Sequence, residues 1–314
     1  MRNIKTIGTH DGPFHADDAM AVAILSLAFP ETTVVRTRDE AELSDCHVVV
    51  DVGGVYGPEI DRFDHHQARN AAELARPNGV PFAAAGLVWR TYGKLACGVW
   101  LAYNEPDCVA SLDVVAAVDK SLIQAIDAAD TGFRLTDGDL LIEGIRPMSF
   151  SRAVSALNPL WNEDNSHSQM DKLFADAVLM CREQLVRAIA AAAGAADAKS
   201  EVLQSPVVDR VLRLERFVPW QETVLNLELD VLFAVYPDQT GTWMVNCCPP
   251  EVGSFDKKLP LPEAWAGKRD EELATLTGVA DAVFCHPGRF ICGAKSKEGA
   301  LKLAELALAV PTAS

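Results

Sequence analysis

The run from residue 46 to residue 50 is the feature of this sequence that most constrains the fold. It reads Cys-His-Val-Val-Val, and this near-continuous apolar character is typical of a parallel strand covered on both faces. Asp51 closes the run, and glycines at positions 53 and 54 then turn the chain sharply. Apolar patterns predict two further strands and a helix, at residues 4–9, 33–37 and 19–28. We therefore expect an α/β domain with a mainly parallel sheet flanked by helices.

Histidines are concentrated in the same part of the chain. Of the seven histidines, those at positions 10, 15, 47, 65 and 66 all lie within the first 66 residues. His10, His15 and Asp17 follow the first predicted strand, as Asp51 follows the third. Because ligands of open α/β sheets gather outside the carboxyl ends of the strands, we expect these side chains to converge. Alternatively, Asp17 or its neighbour Asp18 caps the following helix.

Two more segments extend this polar set. Asp64, His65 and His66 are consecutive, and Asp127 and Asp130 close a predicted helix. Asp127 and Asp130 are three residues apart, so both side chains can face the same way on the last helical turn. The alternative is that they are ordinary acidic residues at a helix end, without a role in metal binding. The candidate metal ligands are His10, His15, Asp17, Asp51, His65 and Asp130.

The chemistry of these ligands limits the choice of metal. Mixed imidazole and carboxylate groups suit Mn²⁺, Mg²⁺ or Zn²⁺. The share of carboxylate and the absence of cysteine from the set favour Mn²⁺ or Mg²⁺, with zinc as the alternative. Two cations could share Asp51 as a bridging ligand and activate a water molecule for attack on a phosphoryl group. His66, beside a ligand, could bind phosphate or protonate a leaving oxygen. The predicted catalytic residues are Asp51, Asp64 and His66.

These motifs resemble those of the DHH phosphoesterase superfamily, which includes RecJ-type exonucleases and family II inorganic pyrophosphatases. The resemblance lies in the Asp64-His65-His66 triplet, the upstream histidines, Asp51 and the later Asp130-Thr131-Gly132. More closely, the chain is similar to the Myg-type (melanocyte-proliferating-gene) proteins along nearly its whole length. This closer likeness is carried by residues 8–10, 50–54, 64–66, 157–161, 259–265 and 298–301.

The resemblance implies a fold and an activity. It implies a parallel-sheet domain that holds two metals, and a smaller C-terminal domain that closes over substrate. One metal would be bound by His10, His15 and Asp51, and the other by Asp17, Asp51, His65 and Asp130, with Asp127 as the alternative to Asp130. For Myg-type proteins the implied activity is that of a 3′-to-5′ exonuclease on RNA.

The remaining patterns divide the chain into two domains. Residues 1–197 are the predicted catalytic domain, which includes a connecting helix over residues 169–196, and residues 206–314 are a smaller α+β substrate-binding domain. Further helices in the first domain are predicted at residues 81–101 and 107–129. The second domain is predicted to contain a strand at 207–217, strand pairs at 231–236 with 242–248 and 282–285 with 289–292, and a helix at 297–309.

Cations near turns are candidates for phosphate binding. Gly293 and Lys295 lie in a turn between a predicted strand and a predicted helix, and such helix starts bind phosphate well. Arg152 could form a two-pronged contact with phosphate. With His66, these are the predicted substrate-binding residues. Instead of binding phosphate, the turn could be a simple connection whose lysines are solvated. Arg152 could likewise be an ordinary surface residue.

Composition excludes several classes of protein. The net charge is -16, from 28 Lys and Arg against 44 Asp and Glu, which disfavours broad adhesion to nucleic acid or anionic membrane while leaving a local nucleic-acid cleft open. No apolar run approaches the roughly 18 residues of a membrane span, so we expect a cytoplasmic protein. The eight cysteines are scattered without a Cys-x-x-Cys pair, so we expect most to be reduced core residues.

The candidate ligands predict a metal-dependent phosphodiesterase with two divalent ions as cofactors, Mn²⁺ before Mg²⁺ or Zn²⁺, and the resemblance implies that it hydrolyses the ends of RNA or short oligonucleotides. The first alternative is a hydrolase of pyrophosphate or small nucleotides, which the acidic composition favours. The second is a metal-dependent binding protein without turnover. A membrane partner is not expected, and a homo-oligomer is left open.

Overall fold

The computed structural model describes residues 4–66, 74–105, 111–135, 145 and 147–310. The chain divides into two units, Met1–Gly194 and Ala195–Ser314. Both combine a sheet with helices, so the predicted α/β class is confirmed. The predicted boundary, residues 197–206, begins within a long helix that ends at Gln204.

A five-stranded sheet organises the first unit. Its strands are β1 (Thr6–Thr9), β2 (Thr33–Arg36), β3 (Val48–Val50), β4 (Tyr56–Gly57) and β5 (Arg62–Phe63), in the order β2-β1-β3-β5-β4. β1 pairs in parallel with β2 and β3, and β3 pairs in parallel with β5, whereas β4 is antiparallel to β5. The mainly parallel sheet is therefore confirmed, and β1, β2, β3 and β5 all end at the same edge.

The helices of the first unit cover this sheet. They are α1 (Ala16–Ala28), α2 (Glu40–Asp45), α3 (Ala84–Asn104), α4 (Leu112–Val118), α5 (Gln124–Asp130), α6 (Phe150–Ser155) and α7 (His167–Gln204). Every residue of α1 except Ser26 is buried, as expected of a helix that is apolar on most of its surface. α1 packs against α3, and Met20, Ile24 and Leu87 belong to the core between helices and sheet.

The helix predicted over residues 107–129 is interrupted. Residues 106–110 lie outside the described residues, and α4 begins after Ser111, whose side chain accepts a hydrogen bond from the Val114 amide. A π-helical segment, Asp119–Ile123, then separates α4 from α5. Such wide turns insert an extra residue into a helix and often occur near functional sites.

The second unit contains a six-stranded sheet in the order β10-β11-β9-β8-β7-β6. Its elements are β6 (Val207–Val208), β7 (Val211–Arg213), α8 (Gln221–Asn226), β8 (Phe233–Pro237), β9 (Trp243–Cys247), α9 (Asp270–Thr277), β10 (Ala282–Cys285), β11 (Ile291–Ala294) and α10 (Lys297–Ala309). β8 with β9 and β10 with β11 form antiparallel pairs, so both predicted strand pairs are confirmed. The helix α10 has the predicted bounds.

The single strand predicted over residues 207–217 is wrong. The chain instead forms a tight hairpin between β6 and β7, in which Val208 pairs with Val211. The two turn residues, Asp209 and Arg210, both have positive φ, at 51° and 64°. This is the backbone of the two-residue turns that match the twist of paired strands. Neither residue is glycine, so the apolar pattern alone did not indicate the turn.

The described cysteines are free and buried, at positions 46, 97, 181, 247, 248, 285 and 292. Burial raises the pKa of the Cys97 and Cys247 thiols to about 12, so these sulfurs stay protonated. Cys108 lies outside the described residues. Among the helices that the structure describes, none is both long enough and apolar enough to cross a membrane.

Candidate metal centre

Three parallel strands deliver polar residues to one edge of the first sheet. β1 ends at Thr9 and is followed by His10, and β3 ends at Val50 and is followed by Asp51. β5 ends at Phe63 and is followed by Asp64. These residues line a cavity of about 750 Å³. The other lining residues are Pro13, His15, Ala16, Asp17, Arg38, Val52, Gly53, Gly54, His65, His66, Ile126, Ala129, Asp130, Ser151 and Ser155.

Asp51 lies at the centre of this edge. Its backbone adopts the left-handed conformation, with φ at 57°, which aspartate tolerates better than most residues. One carboxylate oxygen lies 3.2 Å from His65 Nε2 and the other lies 3.3 Å from His10 Nε2. Burial alone would raise the pKa of Asp51, but the close contacts with the two histidines and their charges outweigh it and lower the pKa to about 2. Asp51 is therefore a carboxylate that faces two sides of the site.

His10 faces two carboxylates with one ring nitrogen. Its Nδ1 lies 3.0 Å from the Asp11 carbonyl oxygen, so Nδ1–H can donate there. Its Nε2 lies 3.1 Å from Asp18 Oδ2 and 3.3 Å from Asp51 Oδ2. Burial lowers the pKa of His10, but the two aspartates raise it to about 10. A lone pair between two carboxylates requires a cation, either a proton or a metal ion, and the Nδ1 contact is typical of a metal-binding histidine.

The first turn of α1 adds two fully buried acids. Asp18 Oδ1 accepts hydrogen bonds from the amides of His15 and Ala19, at 2.9 and 2.8 Å, so Asp18 caps the helix while its Oδ2 faces His10. Asp17 has no hydrogen-bond partner on either oxygen among the described residues. Burial raises the pKa of Asp17 well above its usual range, and the charges of Asp51, Asp130 and Asp18 raise it further. Among the described residues, the cationic group within 4 Å of this buried carboxylate is the His65 imidazole, at 3.8 Å.

His65 completes the other side of the site. Its Nε2 lies 3.2 Å from Asp51 Oδ1, 3.2 Å from Asp130 Oδ2 and 3.8 Å from Asp17 Oδ2. Burial lowers its pKa, but Asp51 above all, and then Asp130, raise it above the usual value. His15 is exposed, and one of its nitrogens lies within 4.8 Å of oxygens of Asp17 and Asp130. All six predicted ligands therefore lie at one edge of the sheet.

The donor atoms fit metal binding. Among the described residues, ten buried side-chain nitrogen and oxygen atoms make no hydrogen bond of good geometry, and five of the ten belong to this cluster: Asp17 Oδ1, Asp17 Oδ2, Asp18 Oδ2, Asp51 Oδ1 and His65 Nε2. Buried polar atoms without such a bond are rare in proteins, and five of them converging at one edge of the sheet is an arrangement that divalent cations could satisfy. Three groups could each hold a metal ion: Asp51, His65 and His66; His10, Asp18 and Asp51; and His15, Asp17 and Asp130.

Asp64 and His66 form a pair beside the cluster. Asp64 Oδ1 lies 2.8 Å from His66 Nδ1 and accepts the His66 amide at 2.9 Å, while its Oδ2 accepts the Gly54 amide at 2.6 Å. His66 is largely exposed, and its Nδ1 lies 3.7 Å from Asp51 Oδ1. The buried Asp64 therefore orients the exposed imidazole of His66 toward the cavity.

Asp127 and Asp130 have different surroundings although both lie on α5. Asp130 is in the cluster, whereas Asp127 Oδ2 lies 2.7 Å from Arg76 Nη1 and its Oδ1 accepts the Gly86 amide at 2.9 Å. Asp127 thereby caps the start of α3 from outside that helix. Burial raises the pKa of Asp127 to about 7, although Arg76 and the backbone amides oppose the rise. Asp127 is a structural partner of Arg76 outside the metal cluster.

The predicted phosphate contacts lie in other surroundings. Arg152 is exposed, and its Nη1 donates to the Pro147 carbonyl oxygen at 3.2 Å; two serines of its helix, Ser151 and Ser155, line the cavity instead. In the second unit, Gly293 lies within β11, where a Cβ atom would lie 3.2 Å from side-chain atoms of Met244, Phe284 and Thr242.

The start of α10 already has an anionic partner. Lys295 is exposed, and the next residue, Ser296, caps the helix by accepting the Gly299 amide. The Ser296 amide donates to Asp281 Oδ2 at 2.8 Å, and the Ser296 hydroxyl donates to the same oxygen at 2.6 Å. A carboxylate of the protein thus occupies the position at which a phosphate would meet this amide.

The sequence prediction missed two residues of the site. Asp18 was considered only as a helix cap, although it also faces His10. Arg38 lies two residues beyond the end of β2, lines the cavity and is 3.3 Å from Asp11 Oδ1 through its Nε. It is the only arginine or lysine among the described residues that line this cavity. The strand-end rule that singled out His10 and Asp51 also applies to Arg38.

Two residues outside the cluster hold the loop between β1 and α1. The Asn158 side chain accepts the Phe14 amide at 3.0 Å and donates to the Phe14 carbonyl oxygen at 2.8 Å. Arg36 donates to the Gly12 carbonyl oxygen at 2.6 Å, and its guanidinium lies 4.7 Å from the centre of the Phe174 ring. This loop carries His10 and His15, so both contacts fix the position of candidate ligands.

The sequence matches the family model MYG1_exonuc, described as "Uncharacterised protein family (UPF0160)", over residues 6–308. The MYG1 exonuclease of Bos taurus is 32% identical over 326 residues, which cover 96% of this chain and 84% of the relative. The MYG1 exonuclease of Homo sapiens is 31% identical over 326 residues, which cover 96% and 85%. The MYG1 protein of Dictyostelium discoideum is 32% identical over 315 residues, which cover 95% of each chain. The chain therefore belongs to the MYG1 family.

Proposed function

We propose that this chain is a metal-dependent phosphodiesterase that removes nucleotides from the 3′ end of RNA or of short oligonucleotides. The observation that carries the metal dependence is the convergence, at one edge of the first sheet, of five buried donor atoms that make no hydrogen bond of good geometry. The exonuclease reaction is supported by relatives named MYG1 exonuclease that align with nearly the whole chain. The substrate and the direction of cleavage rest on the family resemblance.

The distances support two binding positions for divalent ions, with Asp51 between them. His10 and Asp18 would hold one ion with Asp51. Asp17, His65 and Asp130 would hold the other, with His15 within reach of the same oxygens. When bound, such ions would polarise the phosphoryl oxygen and lower the pKa of the attacking water. Mn²⁺ suits this mixture of imidazole and carboxylate, and Mg²⁺ and Zn²⁺ are the alternatives.

The side chains around the ions have separate roles in this proposal. His66, oriented by Asp64, would hold a proton that it can donate to the leaving oxygen. The guanidinium of Arg38 would bind the scissile phosphate, because its Nε contacts Asp11 and its two terminal nitrogens can form a fork toward a phosphate. Asp64 acts through His66, as a positioning residue.

The charge of the cavity favours a diester over pyrophosphate. A phosphodiester carries one negative charge at the reacting group, whereas pyrophosphate carries several. Among the described residues that line the cavity, Arg38 supplies the single permanent positive charge. Two divalent ions and one arginine, beside the four aspartates that line the cavity, suit a singly charged phosphate better than a small, highly charged anion.

The test is hydrolysis of RNA, single-stranded DNA and pyrophosphate by the purified chain with Mn²⁺, with Mg²⁺ or with EDTA. RNA labelled at the 5′ end should shorten stepwise with Mn²⁺ and stay intact with EDTA. Asp51→Asn should abolish this activity, and Asp176→Asn, an exposed aspartate on α7, is the matched control. Bound metal without turnover of any substrate would instead support a binding protein. The cytoplasmic location stays a prediction.

A further inference from the structure

Trp161 is unusually exposed for a tryptophan. Its side chain is 96% exposed, whereas Trp89, Trp220 and Trp265 are buried. Tryptophan is one of the more deeply buried residue types on average, because its ring has a large apolar surface. Leu160, its neighbour in the chain, is also exposed. Contiguous exposed apolar side chains beside a cavity, as Leu160 and Trp161 are, mark ligand-binding surfaces more than a single exposed residue does.

Trp161 lines a small cavity that adjoins the candidate metal centre. This second cavity has a volume of about 220 Å³, and Pro13 lines both it and the larger one. Its other lining residues are Gly12, Asn158, Pro159, Leu160, Asn165 and Met170. Pro13 lies between His10 and His15 in the chain and lines both cavities. A group bound against Trp161 would therefore be next to a ligand bound at the two histidines.

The backbone around Trp161 is held in place. Asn158 makes its two hydrogen bonds to Phe14 in the loop between β1 and α1. Glu163 closes a turn around Trp161, because its side chain accepts the Leu160 amide at 2.8 Å and its amide donates to the Leu160 carbonyl oxygen at 3.0 Å. The backbone that carries Trp161 is thus fixed beside the candidate metal centre, while its side chain stays outside the core.

We propose that Trp161 stacks on an unpaired nucleobase of the strand whose phosphate is bound at the metal centre. This inference rests on the proposed phosphodiesterase function and deepens it. The chain has a net charge of -16, so a nucleic acid gains little from the general field of the protein. Stacking supplies affinity without positive charge and accepts every base, because each base has a π-face.

The chemistry of the second cavity matches a base better than a protein side chain. Pro13, Leu160 and the indole give apolar walls, and Asn165, another lining residue, has an amide that can hydrogen-bond the polar edge of a heterocycle. A base inside a duplex has no free face for the indole. The substrate class is therefore a single strand or a single-stranded end.

The test compares two strands that differ only at one end. One oligonucleotide carries normal bases, and the other lacks the bases of its terminal nucleotides but keeps the same phosphates. The ratio of kcat/KM for the two strands is measured with Mn²⁺ for the wild type, Trp161→Ala and Trp161→Phe. Tyr103→Ala, an exposed aromatic residue at the end of α3, is the matched control.

The wild type should prefer the base-bearing strand by about 5- to 150-fold, the range that corresponds to loss of one stacked base. Trp161→Ala should lose this preference, Trp161→Phe should keep most of it, and Tyr103→Ala should not change it. Equal ratios for the wild type and Trp161→Ala would overturn the stacking proposal and leave the phosphodiesterase function standing. A wild type that cleaves neither strand would overturn both.

Discussion

Substitution of Gly86 tests whether the contacts of Asp127 with Arg76 and with the Gly86 amide hold α5 in place. A Cβ atom at this position would overlap Asp127 Oδ2 and would lie 2.8 Å from both Asp127 Cγ and Phe82 Cδ1. Asp127 cannot easily move away, because the Gly86 amide holds one of its oxygens and Arg76 holds the other. Gly86→Ala therefore forces the Asp127 carboxylate out of its place and breaks a buried ion pair.

The size of this effect follows from the contacts that remain. Removing one partner of a buried ion pair typically costs about 3–5 kcal/mol. Arg76 keeps its two hydrogen bonds to Asp119, at 3.0 and 2.6 Å, so the lower end of that range applies. A loss of about 3 kcal/mol corresponds to a fall of roughly 6–12 °C in the unfolding temperature of a unit of this size. Asp130 lies one turn beyond Asp127 on α5, so Mn²⁺ affinity should also fall.

The assay is thermal unfolding followed by calorimetric titration with Mn²⁺. Gly194→Ala is the matched control, because Gly194 lies in α7 and no atom lies within 4 Å of the Cβ that it would gain. This control should be stabilised by up to about 1 kcal/mol, since alanine favours a helix interior. An unfolding temperature of Gly86→Ala within about a degree of the wild type would refute the packing argument. A lowered temperature with unchanged Mn²⁺ affinity would refute the coupling to Asp130.

Three further perturbations probe the candidate metal centre itself. Asp18→Asn keeps the side-chain shape that caps α1 but removes the charge beside His10, so Mn²⁺ affinity should fall about tenfold or more by calorimetry, with the far-UV circular dichroism unchanged. Arg38→Gln should lower kcat/KM for a phosphodiester by about 10- to 150-fold, the cost of one charge-assisted hydrogen bond, and Arg182→Gln on the exposed face of α7 should not. Mn²⁺ at 100 times its dissociation constant should raise the unfolding temperature of the wild type by about 5–11 °C over protein in EDTA, and Asp51→Asn should lose this rise.

The parallel strands were predictable because their sequence signal is local. A short apolar run followed by a polar residue and a turn marks both the strand and the residue at its carboxyl end, as at Val50 and Asp51. Parallel pairing then brings the residues after β1, β3 and β5 to one edge without any further information. The same logic would have included Arg38, which follows β2.

The partners of Asp127 could not be predicted in this way. Two contacts determine where this carboxylate points: one with Arg76, which is distant in the chain, and one with the start of α3. No local sequence pattern indicates either contact. The π-helical segment at residues 119–123 adds a residue to the helix before α5. It changes the direction in which every later side chain points, so regular helical spacing cannot decide between Asp127 and Asp130.

The buried acids of α1 link metal binding to the stability of the first unit. All but one residue of this helix is buried, so Asp17 and Asp18 cannot reach solvent unless the helix leaves its place on the sheet. Burial and three neighbouring aspartates disfavour the charged form of Asp17. The packing of the apolar residues of α1 must therefore offset an electrostatic cost that divalent cations would remove. Because the atoms that would hold the metals also carry that cost, the rise in unfolding temperature with Mn²⁺ should depend on Asp51 and on both acids of α1.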